Sequence, residues 1–331
     1  GKRVPEMSLS PVADYLNQNG FVCHFSKDTI GQSAKDAIKN AKAGELVLLE
    51  NTRFYSQEED NNSEFSKSIA ELGDVYVNDA FGTAHRAHAS TEGVAKLFND
   101  RFAGFLIEKE IEFLGKALEN PKRPFTAIIG GAKISGKIDV IQELIGKCDN
   151  ILIGGGMMFT FLKAMGKEIG SSLLEEDKIN LAKEIIETAE KSSTKLLIPK
   201  DTVVAERFDK EAAFWTVHVD EFPPKRIGLD ISTITIAEYS NIIKKSKTIL
   251  WNGPMGVFEM DNFAKGTISI AQAIAEATDN GAISIVGGGD SVAAVTMAKL
   301  ADKMSHISTG GGASLEYLEG KKLPGILALD C

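Results

Sequence analysis

The chain has 331 residues, 43% of them hydrophobic and 25% charged, with three cysteines and a formal net charge of −9. That length suits two domains of ordinary globular composition, and no apolar run approaches the ~18 residues of a membrane span. The acidic balance excludes broad nucleic-acid or membrane-surface binding, so an anionic substrate needs a local basic patch. The opening GKRVPEMSLSP carries two basic residues and no apolar core, and it does not read as a signal peptide. Cys23, Cys148 and Cys331 form no CxxC pair, which favours a reducing compartment and a cytoplasmic protein.

In chain order, Ser10-Pro11 offers a helix N-cap followed by proline at the first helical position, ahead of the periodic VADYLNQ. Residues 21–25 predict a strand, 34–42 a helix, 45–50 a strand, 62–72 a helix, 75–78 a strand and 91–98 a short helix. Short apolar runs alternating with amphipathic helices predict an α/β fold with a parallel sheet covered on both faces. Residues 104–120 are one long periodic run that stops at Asn120-Pro121. It reads either as a helix linking two domains or as one more packing helix. A second alternating series follows. Its strands are 125–129, 150–153, 195–198, 248–251, 282–286 and 306–308. Its helices are 135–147, 159–165, 176–192, 236–245, 264–278 and 292–301. Between 202 and 234 the pattern becomes more β-like or irregular.

Four strand-to-helix corners of the second half are rich in glycine: Gly130-Gly131, Gly154 to Gly156, Gly287 to Gly289 and Gly310 to Gly312. A fifth, Asn252 to Gly256, carries two glycines and a proline. In a parallel sheet such corners share one edge, where ligands bind and helix N-termini face anions. None has the spaced G-x-G-x-x-G of a dinucleotide site, which disfavours hydride transfer. The first corner nearly spells a P-loop: Gly131, four residues, Gly136, Lys137. Ile138 stands where a P-loop places Ser or Thr on Mg2+. Either the metal ligand is lost or the spacing is accidental. Asp290, in GGGDS, is either a helix N-cap or a Mg2+ ligand that lets nucleotide phosphate approach, and Ser291 either donates to phosphate or extends the cap.

In the first half, Arg53 and Arg86 follow strand candidates, with His85 and His88 nearby. Arginine forks suit phosphate or carboxylate, but Glu50, Glu58 and Glu59 are close enough in sequence to pair with them. The two histidines lack further ligands at zinc spacing. Glu58-Glu59-Asp60 and Lys244-Lys245 read as solvated surface.

LLENTRF, YVNDAFGTAHRAHAS, IIGGAKISGKI, ILIGGGM, WNGPMGVFE, VGGGDS and HISTGGGASLEYLEG, in that order, resemble the phosphoglycerate kinase family from about Ser8 to the C-terminus. The resemblance implies two Rossmann-like domains, each a parallel sheet flanked by helices, with a cleft between them. It implies a phosphoglycerate-binding domain at 1–103, an interdomain hinge helix at 104–120 and a nucleotide-binding domain at 121–331, the last residues packing back on the first domain. It implies a cytoplasmic, monomeric glycolytic enzyme that moves a phosphoryl group between 1,3-bisphosphoglycerate and ADP, giving 3-phosphoglycerate and ATP, with Mg2+. By position, Lys137 is expected at the nucleotide phosphates and Lys133 at the phosphoryl group in flight. Glu259 is expected at the ribose, Gly228 near the adenine and Asn252 beside the nucleotide. Gly288, Gly289, Asp290 and Ser291 are expected at the phosphates, with the metal on Asp290. Arg53 and Arg86 are expected on the phosphoglycerate, and Gly311 at the helix start facing the migrating group. Glu110, in the hinge, is expected to pair with His306. On this resemblance the metal ligand is supplied at Asp290, and Gly136 is a coincidence of spacing.

Two departures carry expectations of their own. The family's opening segments, an RVDFNVP-like strand, an arginine loop and an HLGRP-like motif, are not in the sequence given. This suggests a fragment whose first sheet has an unpaired interior edge, and as an alternative a nucleotide-binding module without turnover. Leu229 to Thr233 also lacks the family's usual Gly-Pro, which is expected to alter that loop near the nucleotide.

Overall fold

The computed structural model describes residues 1–329. The chain divides into two compact units, Gly1–Lys109 with the C-terminal segment from Lys322 onward, and Glu110–Lys321. The helix Phe105–Glu119 runs across that division.

The first unit contains β1 (Cys23–Phe25), β2 (Leu46–Leu48), β3 (Tyr76–Asn78) and β4 (Arg101–Ala103). β1 pairs with β2 and β3 with β4, both in parallel, and no ladder joins the pairs. The parallel strands expected here are present as two short ribbons, and the unpaired edge expected of this sheet is seen in them. Val77 and its register partner Phe102 are 56% and 55% exposed. Two elements differ from the sequence reading. β4 went unread because three residues carry no measurable period. Residues 91–98, expected as a short helix, form a π-turn, Ala89–Gly93, followed by a 3-10 turn, Ala95–Leu97. The first long helix is Ser10–Gln18, and Leu9 takes the cap position expected for Ser10. Ser8 Oγ accepts the Ser10 N–H at 3.2 Å, and Glu50 accepts the Leu9 N–H at 2.9 Å. Near the C-terminus the helix Pro324–Leu327 binds through the Gly325 N–H to the Ala84 carbonyl at 2.8 Å. Cys331 lies outside the described residues.

The second unit contains β5 (Phe125–Ile129), β6 (Asn150–Ile153), β7 (Lys195–Leu197), β8 (Asp201–Ala205), β9 (Phe214–His218), β10 (Ile227–Ile231), β11 (Thr248–Asn252), β12 (Ile283–Gly287) and β13 (His306–Ile307). Six of these form one parallel sheet in the order β13-β12-β11-β5-β6-β7. Every residue of β5 and β11 is buried, as strands covered on both faces must be. Their runs are therefore continuous apolar stretches rather than alternating ones. The irregular stretch at 202–234 supplies an antiparallel sheet, β10-β8-β9, with a bulge between Gly228 and Asp230. At Leu229 to Thr233 the chain passes straight from β10 into the helix Thr233–Lys245. The Asp201 carboxylate caps that helix, accepting the Ile234 and Thr235 N–H groups at 2.8 and 2.9 Å. The cap comes from a side chain of another strand, β8.

Candidate active site

From β5 the chain runs outward to β6 and β7 on one side of the sheet. It returns through β11, β12 and β13 on the other. The order reverses between β5 and β11, and an open α/β sheet binds its ligand at such a switch point. The corners leaving these two strands are Gly130-Gly131 and Asn252 to Gly256. They touch: the Gly130 N–H donates to the Asn252 carbonyl at 2.9 Å, and the Gly131 N–H to the Pro254 carbonyl at 2.9 Å. Gly253 sits at φ +97, and a side chain there would run into the Gly130 carbonyl. Glycine at this position is what lets the two corners close on each other.

Lys137 and Asn252 meet at this point, the Lys137 ammonium donating to Asn252 Oδ1. Burial lowers the Lys137 pKa to about 8, against the opposing pull of Asp290 and Glu319. Asn252 is fully buried, and its Nδ2 has no partner among the described residues. That donor lies against the Gly287-Gly288 corner at the end of β12. An orphaned buried donor beside a glycine corner suits a ligand oxygen.

Asp290 stands in the first turn of the helix Gly289–Met297, whose cap position is Gly288, at φ +87. Its carboxylate makes no capping bond, and among the described residues it has no hydrogen-bond or ion-pair partner. The N-cap alternative for Asp290 is therefore not realised. Ser291 is fully buried, and its Oγ accepts the Gly253 N–H at 2.6 Å, so it braces the neighbouring corner and does not extend a cap.

The first corner does not act as a P-loop. Two N–H groups that such a loop turns toward phosphate, those of Ile134 and Ser135, are taken by the Glu175 carboxylate at 2.6 and 3.3 Å. The helix expected at 135–147 is Ile138–Leu144, and it begins after Lys137. Lys133 lies exposed in the preceding turn, with no ion pair among the described residues.

A cavity of about 670 Å³ adjoins these corners, with Gly228, Glu259, Asp290, Gly156, Met260 and Phe208 in its lining. A side chain at Gly228 would collide with the Phe159 ring. Asp230, which the sequence reading passed over, also lines it. Its carboxyl is 2% exposed and accepts the Gly266 and Ile231 N–H groups at 2.6 and 2.9 Å. Burial pushes its pKa up to about 8 in spite of those two bonds. Gly311 caps the short helix Gly312–Leu318 at φ +49 and is not in the lining of this cavity. Beside it, Glu110 is fully buried and holds His306 Nε2 at 2.8 Å and the Thr309 N–H at 2.7 Å. Burial alone would raise the Glu110 pKa, but the bonds from His306 and Thr309 outweigh it and hold the carboxyl below its usual range.

Arg53 and Arg86 belong to the first unit, each just beyond a strand end. Of the acidic partners considered for Arg53, only Glu59 approaches it, at 3.6 Å, with both groups exposed. Such a pair contributes little and yields readily to a ligand. Glu50 is turned instead to Ser8, Leu9 and Asn51. Arg86 has no carboxylate partner among the described residues, and its Nε donates to His85 Nε2 at 3.3 Å. Glu58, read as solvated surface, is 2% exposed and bonded to Ser90. No signal within the run Glu58-Glu59-Asp60 separates it from its neighbours.

Glycine corners at a switch point, a desolvated lysine and an apolar cavity beside them define an α/β enzyme built to handle phosphate. The sequence model of the phosphoglycerate kinase family matches residues 1–321. A phosphoglycerate kinase of Chloroherpeton thalassium is 54% identical over 330 residues, covering 99% of this chain and 83% of its own. A chloroplastic phosphoglycerate kinase of Volvox carteri is 57% identical over 303 residues, covering 92% of this chain and 66% of its own. The solved phosphoglycerate kinase of Coxiella burnetii superposes with a TM-score of 0.90 at 42% identity, covering 100% of this chain and 82% of that one. The chain belongs to the phosphoglycerate kinase family, and it is a kinase, a phosphotransferase.

Proposed function

We propose that this kinase transfers a phosphoryl group reversibly between 1,3-bisphosphoglycerate and ADP, giving 3-phosphoglycerate and ATP in glycolysis. The observation that carries the reading is the meeting of Lys137 and Asn252 at the switch point, with the Asp290 carboxylate, which has no hydrogen-bond partner among the described residues, acting on the same lysine. On this reading the cavity takes the nucleoside, with Gly228 at the base and Glu259 at the ribose. Lys137, Asn252, Gly288, Gly289 and Ser291 hold or frame the phosphates. Lys133, exposed and without an ion pair among the described residues, meets the phosphoryl group as it crosses, and Gly311 faces it from the helix start. Arg53 and Arg86 bind the acid substrate. The first unit then serves the phosphoglycerate and the second the nucleotide, with the helix across 104–120 as hinge.

Phosphoryl transfer needs in-line positioning and neutralised charge more than covalent chemistry. Cations and backbone donors suffice for that. Among the described residues no three His, Cys, Asp or Glu side chains cluster as a protein-only metal cage. One free carboxylate fits a hard cation shared with phosphate oxygens, so Asp290 is the residue that would hold Mg2+. When bound, the ion supplies neutralisation of the phosphate charge. A cytoplasmic, monomeric state is part of the same proposal; Cys23 and Cys148 are free and buried, in keeping with a reducing compartment. Among the described residues no helix is long and apolar enough to cross a membrane.

A coupled assay of ATP formation on the 331-residue chain, with calorimetric titration of ADP, tests the reading. Turnover supports it. ADP binding without turnover would leave a nucleotide-binding module, and no ADP affinity would overturn both.

A further inference from the structure

Glu58 is buried, and it bonds its own stretch of the first unit, which carries Arg53, to a second stretch, which carries Arg86. A carboxylate taken out of water is costly unless its oxygens accept hydrogen bonds. Here Oε2 accepts the Ser90 N–H at 3.0 Å and Oε1 the Ser90 hydroxyl at 2.5 Å, and no cation pairs with it among the described residues. Ser90 is held from a second side, its carbonyl accepting the Tyr76 hydroxyl of β3 at 2.8 Å. The next residue closes the loop: Thr91 Oγ1 donates to the Arg86 carbonyl at 3.1 Å. The segment is the π-turn Ala89–Gly93, a form rare enough to mark a built feature.

Arg53 and Glu58 share the short segment that leaves β2, and Arg86 and Ser90 share the segment that leaves β3. β2 and β3 are not in one sheet, so no strand ladder sets one arginine against the other. The Glu58–Ser90 bonds are a direct tie between the two segments. Two planar forks on one small anion tolerate errors of only about 0.5 Å, so the spacing of their loops has to be fixed by something.

We infer that Glu58 is a positioning residue for the acid substrate: by clamping Ser90 it sets the Arg86 segment against the Arg53 segment. The inference rests on the reading of Arg53 and Arg86 as phosphoglycerate ligands.

The test is calorimetric titration of the full chain with 3-phosphoglycerate and, separately, with ADP and Mg2+. Arg86→Ala is run beside the clamp variants. Glu58→Gln keeps the volume but sets an amide against the Ser90 donors, and it should weaken 3-phosphoglycerate about tenfold while ADP stays within about twofold. Ser90→Ala, which deletes one donor, should weaken it about threefold. The double variant should bind no worse than Glu58→Gln alone, because Glu58 acts through Ser90. Additive losses, or equal weakening of both ligands, would overturn the positioning role. Unchanged 3-phosphoglycerate affinity in both single variants, with Arg86→Ala weakened, overturns the clamp and leaves the arginine assignment standing. If Arg86→Ala binds normally, the assignment falls and the clamp falls with it. Should Glu58→Gln fail to fold, Ser90→Ala decides by the same criteria.

Discussion

Lys133 and Lys137 are four apart in sequence and opposite in surroundings. Lys137 is desolvated and tied to Asn252, while Lys133 is exposed and has no ion pair among the described residues. A lysine already fixed in the ground state serves binding, and a mobile one is free to follow charge as it develops. Lys133→Ala should therefore lower kcat by about 100-fold or more and change ADP affinity by less than about threefold. Equal losses in steady-state kinetics and calorimetry would make it a plain nucleotide ligand. Asp290→Ala should abolish the gain in ADP affinity on adding Mg2+, read by titration with and without the ion. A gain that survives would remove Asp290 as the metal residue. Asp230 adds a pH signature. Its carboxyl titrates near 8 when folded, above its ordinary value of 3.8. The stability it contributes is complete below about pH 4 and is lost as pH rises through about 8. Asp230→Asn keeps an acceptor for the Gly266 N–H and removes the titration, so its melting temperature should fall less between pH 5 and 8 than that of the parent chain.

Among the elements, the helix Phe105–Glu119 begins under an acid from elsewhere: Asp79 Oδ1 accepts the Leu106 and Ile107 N–H groups at 2.7 and 3.1 Å. Asp79→Ala should cost about 1 kcal/mol, seen as a lower denaturation midpoint without a changed slope. This cap shows where sequence reading stops. The long periodic helices and the buried runs of β5 and β11 were legible because each carries its own pattern over many residues. So were the glycine corners, since glycine at a strand exit has few other uses. Asp79 capping a helix a whole strand later, Asp201 capping Thr233–Lys245 and Glu58 clamping Ser90 were not. Each pairs an acid with a backbone donor brought near only by the fold, and no local spacing announces it. For the same reason the π-turn Ala89–Gly93 passed for a short helix: its Ser90 and Thr91 are held by Glu58, Tyr76 and Arg86 rather than by helical periodicity.

At the scale of the whole molecule, the residues proposed for the nucleotide lie in one unit and the two arginines proposed for the acid in the other. Each ligand should then protect its own unit. ADP with Mg2+ should slow amide exchange around 129–131, 252–256 and 287–291, and 3-phosphoglycerate around 51–55 and 85–91. At a hundred times its dissociation constant, either ligand adds about 2.7 kcal/mol to the unit that binds it. Uniform protection of the whole chain by one ligand would contradict the division of labour. Resistance to local opening should differ between the two sites on the proposed reading of the nucleotide corners. They hang from β5 and β11, where every residue is buried, whereas the first unit's ribbons leave Val77 and Phe102 open to solvent. Local opening is easiest where apolar contacts are few. On the proposed assignment, the grip on the acid should fail first as urea rises, leaving a chain that has lost turnover but is still retained on an immobilised nucleotide; loss of both at one urea concentration would contradict this.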